Sequence, residues 1–345
     1  MIKKVRVEDA VGMELAHDMT KVVPGEYKGA RFQRGHVLQE EDIAELRQMG
    51  KDHVYVMRLE PGEVHEEEAS LRVAQALCGE GLEPARPHEG RVDLRAKTLG
   101  LVKVNVPLLR QVNLLGEFGI ATQYTNTVLR PGEAAAAVKV VPLVVNEERI
   151  RAVEELCAGQ EAALRLVPIP PRRAGVLITG TEVYEGRIRD GFGDLMVAKL
   201  GALGAQMVEK RFAPDDVAFI ARELENLRSE GVELIVTCGG LAVDADDVTA
   251  EGVQAAGATV LSYGAPVVPG SLALLADWDG LPVLGVPAGA LFSPVTAFDL
   301  LLPRVLAGER LTRADMAELG HGGMLPASPR PAGEAPKDRK EAGKS

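Results

Sequence analysis

Short apolar runs alternate with amphipathic stretches through the second half of the chain, which is the pattern of strands and helices in a parallel sheet. Five apolar runs predict strands at 175–178, 207–208, 232–237, 259–261 and 282–286. Four amphipathic stretches predict helices over 195–203, 215–230, 247–256 and 291–306. In the second of these helices, Val217, Ile220 and Leu224 recur at the spacing of one helical face. We therefore predict a three-layer α/β domain, with a parallel sheet between two layers of helices.

The first half of the chain shows a mixed pattern that contains more strand-like segments. It predicts helices over 39–50, 66–79 and 147–164, and strands over 53–57, 102–106 and 135–145. The first of these helices has acids in its first turn and Gly50 as a stop signal. We predict a mixed α/β N-terminal region, made of an α+β segment over 1–70 and a β-rich region with flanking helices over 71–168.

Proline-rich sequence marks two boundaries along the chain. Pro168, Pro170 and Pro171 predict a stiff linker, because consecutive prolines favour an extended backbone. The α/β domain then covers 173–310. The last segment, 326–345, holds no large apolar residue that it could bury, so we predict that it is disordered.

Composition narrows the class of partner and the compartment. A formal net charge of −11 argues against a nucleic acid or an anionic membrane, because both require a basic surface. It leaves room for a phosphate ligand, which backbone amides can bind locally. The three cysteines are far apart and form no metal-binding spacing, which favours a reducing, cytoplasmic compartment. The first residues lack the apolar core of a signal peptide, and no apolar run is long enough to span a bilayer.

The end of the first predicted strand of the α/β domain combines hydroxyl, glycine and carboxylate. Thr179 and Gly180 follow the apolar run directly, and Glu182 comes next but one. This arrangement suits a phosphate-binding turn whose hydroxyl and amide donate to an anion while Glu182 reaches a cation. It equally suits an ordinary exit from a strand with a solvated glutamate, and both interpretations stay open.

A second strand end carries paired glycines and a group of acids. Gly239 and Gly240 follow the strand over 232–237, and Asp244, Asp246 and Asp247 come shortly after them. Paired glycines let a backbone approach a phosphate closely, and neighbouring carboxylates suit a hard cation such as Mg²⁺. The acids also suit the N-terminus of the helix predicted to follow, so they have a structural interpretation as well.

Two further glycine turns lie at apparent strand ends on the same side of the predicted sheet. One contains Pro269 and Gly270, and the other follows Pro287. Ligands of open α/β sheets bind at the carboxyl ends of the strands, so the four turns together predict one shared crevice. The six histidines lie outside this region and show no metal-binding spacing. Their positions therefore argue against a catalytic metal held by histidines.

These motifs resemble the molybdopterin-binding domain of molybdopterin molybdenumtransferases and molybdopterin adenylyltransferases. One family signature is Thr-Gly-Asp-Glu-Leu followed by an Ile-x-Asp-Ser-Asn segment, matched here by 179–183 and Asp190. A second is Thr-Ser-Gly-Gly-Val-Ser-Val-Gly with an Asp three residues later, matched by 237–247. A third pairs Lys-Pro-Gly with Leu-Pro-Gly-Asn-Pro, in whose places stand 269–270 and 286–290. The similarity covers residues 173–310.

The resemblance implies a ligand, a metal and a set of residues. In the family this domain binds molybdopterin, and the transferase uses Mg²⁺ and acidic residues to insert molybdate into adenylylated molybdopterin with release of AMP. By position, Glu182 and Asp247 fall on the catalytic, metal-binding acids. The positions implied to bind molybdopterin are Thr179, Gly180, Thr237, Gly239, Gly240, Asp244, Pro269, Gly270 and Pro287. A homo-oligomer is implied as well.

Several positions depart from the family pattern. Thr181 replaces an Asp, Phe192 an Asn, Asp244 a Gly and Ser271 a Lys. Loss of a Lys beside a polyanionic ligand removes a charge-assisted contact of roughly 1.5–3 kcal/mol. Two other functions therefore stand beside molybdate insertion. One is a non-catalytic carrier or sensor that binds molybdopterin or the molybdenum cofactor, and the other is an adenylyltransferase.

Overall fold

The computed structural model describes residues 2–23, 27–57, 59–88, 90–241 and 247–325. Contacts between residues divide the chain into two units, Met1–Pro168 and Ile169–Ser345. The segment 326–345, for which disorder is predicted, lies outside the described residues. No helix within the described ranges combines the length and the apolar character needed to cross a membrane.

The first unit is a mixed α/β structure of short elements. Its strands are β1 (Ile2–Arg6), β2 (Met19–Val23), β3 (Tyr27–Phe32), β4 (His53–Met57), β5 (Glu63–His65), β6 (Leu82–Pro84), β7 (Arg91–Ala96), β8 (Gly100–Val104), β9 (Phe118–Thr122), β10 (Val128–Leu129), β11 (Ala134–Val140), β12 (Val144–Asn146) and β13 (Leu164–Pro168). Its helices are α1 (Asp42–Gln48), α2 (Glu66–Leu77), α3 (Val106–Asn113) and α4 (Glu147–Cys157).

Two hydrophobic cores organise this first unit. One is formed by buried side chains between Val7 and Val56, on β2, β3, β4, α1 and the segments that connect these elements. The other is formed by side chains between Val64 and Leu166. It lies around the antiparallel sheets β6-β7-β11-β9 and β10-β8-β13 and includes residues of α2, α3 and α4. Along the chain, one core therefore gives way to the other near residue 60. The predicted boundaries of the regions at 70/71 and of the α/β domain at 310 stay predictions.

Three elements of the first unit have other bounds in the structure than the sequence predicted. Val106 begins α3 instead of ending a strand, because the Asn105 side chain accepts a hydrogen bond from the amide of Leu108 and caps the helix. The helix predicted over 147–164 ends at Cys157, and Gly159 follows with a φ of 72°. The apolar stretch 135–145 is divided between β11 and β12.

His65 joins the two cores of the first unit. The side chain is 1% exposed. Its Nε2 lies 2.7 Å from the carbonyl oxygen of Ala16, and its Nδ1 accepts a hydrogen bond from the amide of Glu67 at 3.2 Å, which caps α2. Since Nδ1 is an acceptor, the ring is neutral and carries its proton on Nε2. Burial lowers the pKa of His65, and the hydrogen bond to Ala16 offsets this only in part.

We expect the first unit to lose stability as the pH falls below about 6.5, the ordinary pKa of histidine. The unfolded chain binds the proton more readily than the folded one, so the contribution of His65 is complete above that pH and declines below it. Urea unfolding followed by far-UV circular dichroism between about pH 7.5 and pH 5 measures the loss. It should shrink in His65→Gln and persist in His53→Gln, where the histidine is exposed. A loss that is unchanged in His65→Gln would contradict the assignment.

The second unit is an α/β domain around one six-stranded sheet. Its strands are β14 (Arg173–Thr179), β15 (Gln206–Ala213), β16 (Leu234–Cys238), β17 (Thr259–Tyr263), β18 (Leu274–Trp278) and β19 (Leu281–Val286). Its helices are α5 (Thr181–Tyr184), α6 (Phe192–Ala202), α7 (Val217–Ser229), α8 (Thr249–Ala255), α9 (Ala297–Leu306) and α10 (Arg313–Glu318). The strand order is β15-β14-β16-β19-β18-β17.

The sheet is mostly parallel, which confirms the predicted α/β class. Strands β15, β14, β16 and β19 run parallel, whereas β18 pairs antiparallel with both β19 and β17. The sequence prediction lacked β18, although the chain signals it. Asp279 and Gly280 form a two-residue hairpin turn between β18 and β19, and both have positive φ values, 52° and 89°. An Asp-Gly pair is a strong hairpin signal.

Helices cover both faces of this sheet. Leu177 and Ile235 belong to a hydrophobic core with side chains of α7 and α8. Their neighbours Val176 and Val236 point to the opposite face and are also fully buried. Helices α6 and α9 contact β14 and β19. The closing helix, predicted from 291, begins at Ala297 because the Thr296 and Asp299 side chains form a capping box there.

The order of the strands reverses beside β14. The chain leaves β14, forms β15 on one side of it, and returns to form β16 on the other side. A crevice forms at such a reversal, outside the carboxyl ends of the two strands that flank it. The candidate ligand loops that follow Thr179 and Cys238 leave the sheet at this point.

Candidate functional site

A cavity of about 850 Å³ lies at the carboxyl ends of β14 and β16. Its wall brings together six of the residues predicted from sequence: Thr179, Gly180, Glu182, Gly239, Gly240 and Asp247. Residues 188–192, Asp215, Leu241, Ala288 and Leu291 complete most of the lining. Three of the four predicted turns thus contribute to one cavity, the last of them through Ala288, whereas the turn of Pro269 and Gly270 does not line it.

Threonine hydroxyls tie the two strand-end loops together beneath the cavity. Thr179 is buried, and its hydroxyl donates to the carbonyl oxygen of Cys238 at 3.3 Å. The hydroxyls of Thr179 and Thr249 are 2.8 Å apart, and that of Thr249 donates to the carbonyl oxygen of Gly239 at 3.1 Å. The amide of Gly180 donates to the carbonyl oxygen of Ala213. The Thr179 hydroxyl and the Gly180 amide, predicted as donors to a ligand, are thus used within the protein.

The positions of Gly239 and Gly240 leave no room for a side chain. Their φ values are 94° and 55°. A Cβ on Gly239 would lie 2.3 Å from the carbonyl oxygen of Thr179, and one on Gly240 would lie 2.3 Å from the Thr249 hydroxyl. Glycine therefore lets this loop pass close over β14. No acceptor within the described ranges takes the amide hydrogens of these two glycines.

Asp215 is a residue of the site that the sequence prediction missed. One of its carboxylate oxygens accepts hydrogen bonds from both the amide and the hydroxyl of Thr181, at 2.8 and 3.0 Å. The Asp215 amide lies 3.0 Å from the same hydroxyl. These contacts fasten the short helix α5, which carries Glu182, to the end of β15. The signal available from sequence was an acid that follows a strand of the same parallel sheet.

Asp190 holds the start of α6 beside the cavity. One carboxylate oxygen accepts hydrogen bonds from the amides of Phe192 and Gly193, at 2.7 and 3.0 Å. The other lies 3.0 Å from the Lys210 Nζ. Burial raises the pKa of Asp190, but these hydrogen bonds and the Lys210 charge outweigh it and hold the pKa below its usual value. Asp190 is therefore ionised, and both of its carboxylate oxygens bind groups of the protein.

The two acids implied to bind a metal both line the cavity. Glu182 is exposed on α5, and Asp247 is half-buried just before α8. Burial raises the pKa of Tyr263, and the negative charges of Asp247 and Glu251 raise it further. No group of three acidic, histidine or cysteine side chains in the described part of the chain is arranged to hold a metal ion. Asp244 and Asp246 lie outside the described residues.

Four other residues predicted to bind molybdopterin lie off the described cavity wall. Thr237 is fully buried in β16, where its hydroxyl has no hydrogen-bond partner among the described residues. Pro269, Gly270 and Pro287 lie together, since a Cβ on Gly270 would be 2.7 Å from the Thr296 Cβ and 3.2 Å from the Pro287 Cγ. Their role in binding stays a prediction.

Cys238 ends β16 directly beneath the glycine loop. The thiol is fully buried, and burial raises its pKa well above the usual value. A buried thiol of this kind stays protonated at neutral pH and does not act as a nucleophile. This agrees with the interpretation of Cys238 as a small apolar residue of the core.

Two segments of the chain match known families. Residues 175–305 match a family described as a probable molybdopterin binding domain. Residues 4–58 match a family described as a domain of unknown function, DUF8806. The second match contains the whole of the first hydrophobic core of the N-terminal unit.

Curated relatives share only a short segment with this chain. A CinA-like protein of Mycobacterium sp. (strain JLS) is 44% identical over 77 residues, which are 22% of this chain and 18% of the relative. A CinA-like protein of Mycobacterium tuberculosis (strain H37Rv) is 43% identical over 79 residues, 23% of this chain and 18% of the relative. The chain thus matches less than a fifth of the length of these relatives.

Solved structures with some similarity include two proteins named MoaB. One, a molybdopterin biosynthesis enzyme from Thermus thermophilus, is 18% identical and covers 40% of this chain and 98% of its own, with a TM-score of 0.33. The other, a tungsten cofactor synthesizing protein from Pyrococcus furiosus, is 18% identical and covers 39% and 92%, with a TM-score of 0.31.

The family match and the local geometry concern the same part of the molecule. The matched segment begins in β14 and ends in α9, so it includes both strand-end loops and the cavity between them. The first two motifs that carry the resemblance line this cavity, and the third contributes Ala288 to it. Residues 175–305 of this chain are therefore a probable molybdopterin-binding domain, of the family related to molybdenum cofactor biosynthesis.

Proposed function

We propose that this protein inserts molybdate into adenylylated molybdopterin, in a Mg²⁺-dependent reaction that releases AMP. The observation that carries the proposal is the cavity at the strand reversal, which Glu182, Asp247 and the paired glycines all line. A ligand with a phosphoanhydride needs donors for its charged oxygens and a cation close to them. The cavity offers backbone amides for the first need and carboxylates that can hold the cation for the second.

The donor set fits Mg²⁺. This ion prefers oxygen ligands and is commonly held by one or two carboxylates together with water and substrate phosphates. Glu182 makes no side-chain hydrogen bond or ion pair with the residues that the structure describes, so its carboxylate is available. Glu182 and Asp247 would hold the ion, which would neutralise the charge that develops on the leaving phosphate oxygen.

The protein's own groups would bind and orient the substrate. The amides of Gly239 and Gly240 would donate to phosphate oxygens, because the loop leaves them without an internal acceptor among the described residues. Thr181 and Asp215 would hold α5, and with it Glu182, against the end of β15. The apolar side chains of Phe192 and Leu291 on the wall would exclude water from one side of the ligand.

Phe192 favours a second candidate function, a non-catalytic carrier or sensor of molybdopterin or the molybdenum cofactor. It lines the cavity at a position where the family pattern has Asn, so one polar group expected beside the substrate is missing. Asp190, the acid of the same motif, is already engaged by Lys210. A protein of this kind would keep the affinity for the pterin and lack the reaction.

Incubation of the purified full chain with adenylylated molybdopterin, molybdate and Mg²⁺ tests the proposal. We expect AMP, measured by liquid chromatography, and we expect its release to stop when Mg²⁺ is removed by a chelator. Tight binding of molybdopterin without AMP would favour the carrier or sensor. Consumption of ATP in the presence of molybdopterin would favour an adenylyltransferase instead.

A further inference from the structure

The cavity of the proposed site has an uneven distribution of charge. Four carboxylates contribute to its described lining: Glu182, Asp190, Asp215 and Asp247. Among the described lining residues, Arg189 is the one Lys or Arg. A phosphorylated ligand brings further negative charge into this cavity, so the position of each cation affects its affinity.

Asp190 and Asp215 each bind a group of the protein itself. Lys210 compensates the charge of Asp190, and Asp215 accepts two hydrogen bonds from Thr181. Arg189, in contrast, is available to a ligand. Its side chain is exposed, and it makes no hydrogen bond or ion pair with any residue in the described ranges. Its guanidinium group can therefore turn toward a ligand without losing an internal partner.

The cation that the family pattern places beside the ligand is absent from this chain. Ser271 stands in its position, is exposed, and lies off the described lining of the cavity. The Ile-x-Asp-Ser-Asn signature leaves the position of Arg189 open, so the family pattern assigns Arg189 no role. Arginine binds phosphate through two parallel N–H groups, which a lysine cannot reproduce.

We propose that Arg189 is an anion-binding residue that holds a phosphate group of the ligand, in place of the missing lysine. The inference rests on the proposed site but not on the proposed reaction, because a carrier, a sensor and a transferase would all need to bind the phosphate. Arg189 precedes Asp190, which is fixed by Lys210 and by the start of α6, so the backbone that carries the guanidinium group is held beside the cavity.

Titration calorimetry with inorganic pyrophosphate tests the inference on the full chain. We expect Arg189→Ala to weaken pyrophosphate binding by roughly 10- to 100-fold, the effect of losing a charge-assisted contact. Arg189→Lys should restore only part of the affinity, because the paired N–H groups are lost. The matched control is Arg187→Ala, which removes the same charge two residues away. Arg187 is paired with Glu185 and lies off the described lining.

Several results would overturn the inference. One is a wild-type protein that does not bind pyrophosphate, and another is an equal loss of affinity in Arg187→Ala and Arg189→Ala, which would indicate a general charge effect. The outcome is separable from that of the AMP assay. Arg189-dependent pyrophosphate binding without AMP release would leave the anion site standing and remove the reaction. AMP release with an unchanged KM in Arg189→Ala would support the reaction and remove the anion site at Arg189.

Discussion

Replacement of Glu182 by glutamine should lower the rate of Mg²⁺-dependent AMP release by roughly 100-fold or more. Glutamine keeps the size of the side chain but removes the negative charge that would hold the cation. The wild-type carboxylate has no internal partner among the described residues, so its loss should affect the ligand and not the fold. Initial rates at several Mg²⁺ concentrations measure the effect, and a rise in the Mg²⁺ requirement would identify the cation as the group affected.

Glu185→Gln is the matched control for this experiment. Glu185 follows α5 directly, is exposed, and pairs with Arg187 at 2.8 Å, but it lies off the described lining of the cavity. The same change of charge three residues from Glu182 should leave the rate within about twofold, since exposed ion pairs contribute little. If Glu182→Gln and Glu185→Gln give the same rate as the wild type, Glu182 does not hold the metal. The proposed arrangement of the site would then be wrong.

The sequence predicted the meeting of the two main loops because parallel strands place their carboxyl ends at one edge. Thr179 and Gly239 are far apart in the chain, yet both follow apolar runs that are typical of buried parallel strands. The residues that fix these loops were much harder to predict. The hydroxyl pair of Thr179 and Thr249 spans 70 residues, and the contact between Thr181 and Asp215 spans 34. No local pattern specifies which polar side chains pair across such distances.

Thr181 shows why a departure from a family pattern is hard to interpret from sequence alone. In the sequence it is simply a position where the family pattern has an aspartate and this chain has none. In the structure, its hydroxyl and amide bind Asp215, so a carboxylate still lines the cavity at this strand end, supplied by the neighbouring strand. An acid is therefore present at this strand end despite the substitution, and the contacts of Thr181 anchor the helix that carries Glu182.

We expect Gly239→Ala to lower the free energy of unfolding of the second unit by about 2–4 kcal/mol, a large effect for a single methyl group. The new Cβ would lie 2.3 Å from the carbonyl oxygen of Thr179, and the residue would keep a φ of 94°. That oxygen belongs to the end of a central strand, so it cannot move away without breaking the contacts between β14 and β16. Either the loop shifts, which opens the cavity, or the strand ends separate.

The fluorescence of Trp278 during urea unfolding measures this loss. It is the one tryptophan of the chain, and it is buried in β18 of the same sheet. Gly186→Ala is the control for backbone strain alone, because Gly186 has a φ of 72° and nothing lies within 4 Å of its added Cβ. Strain of that kind costs about 1–2 kcal/mol. If both variants lose the same amount, the close approach to Thr179 contributes nothing. A larger loss in Gly239→Ala would show that the absence of a side chain at residue 239 is what lets the two strand ends meet and close the floor of the cavity.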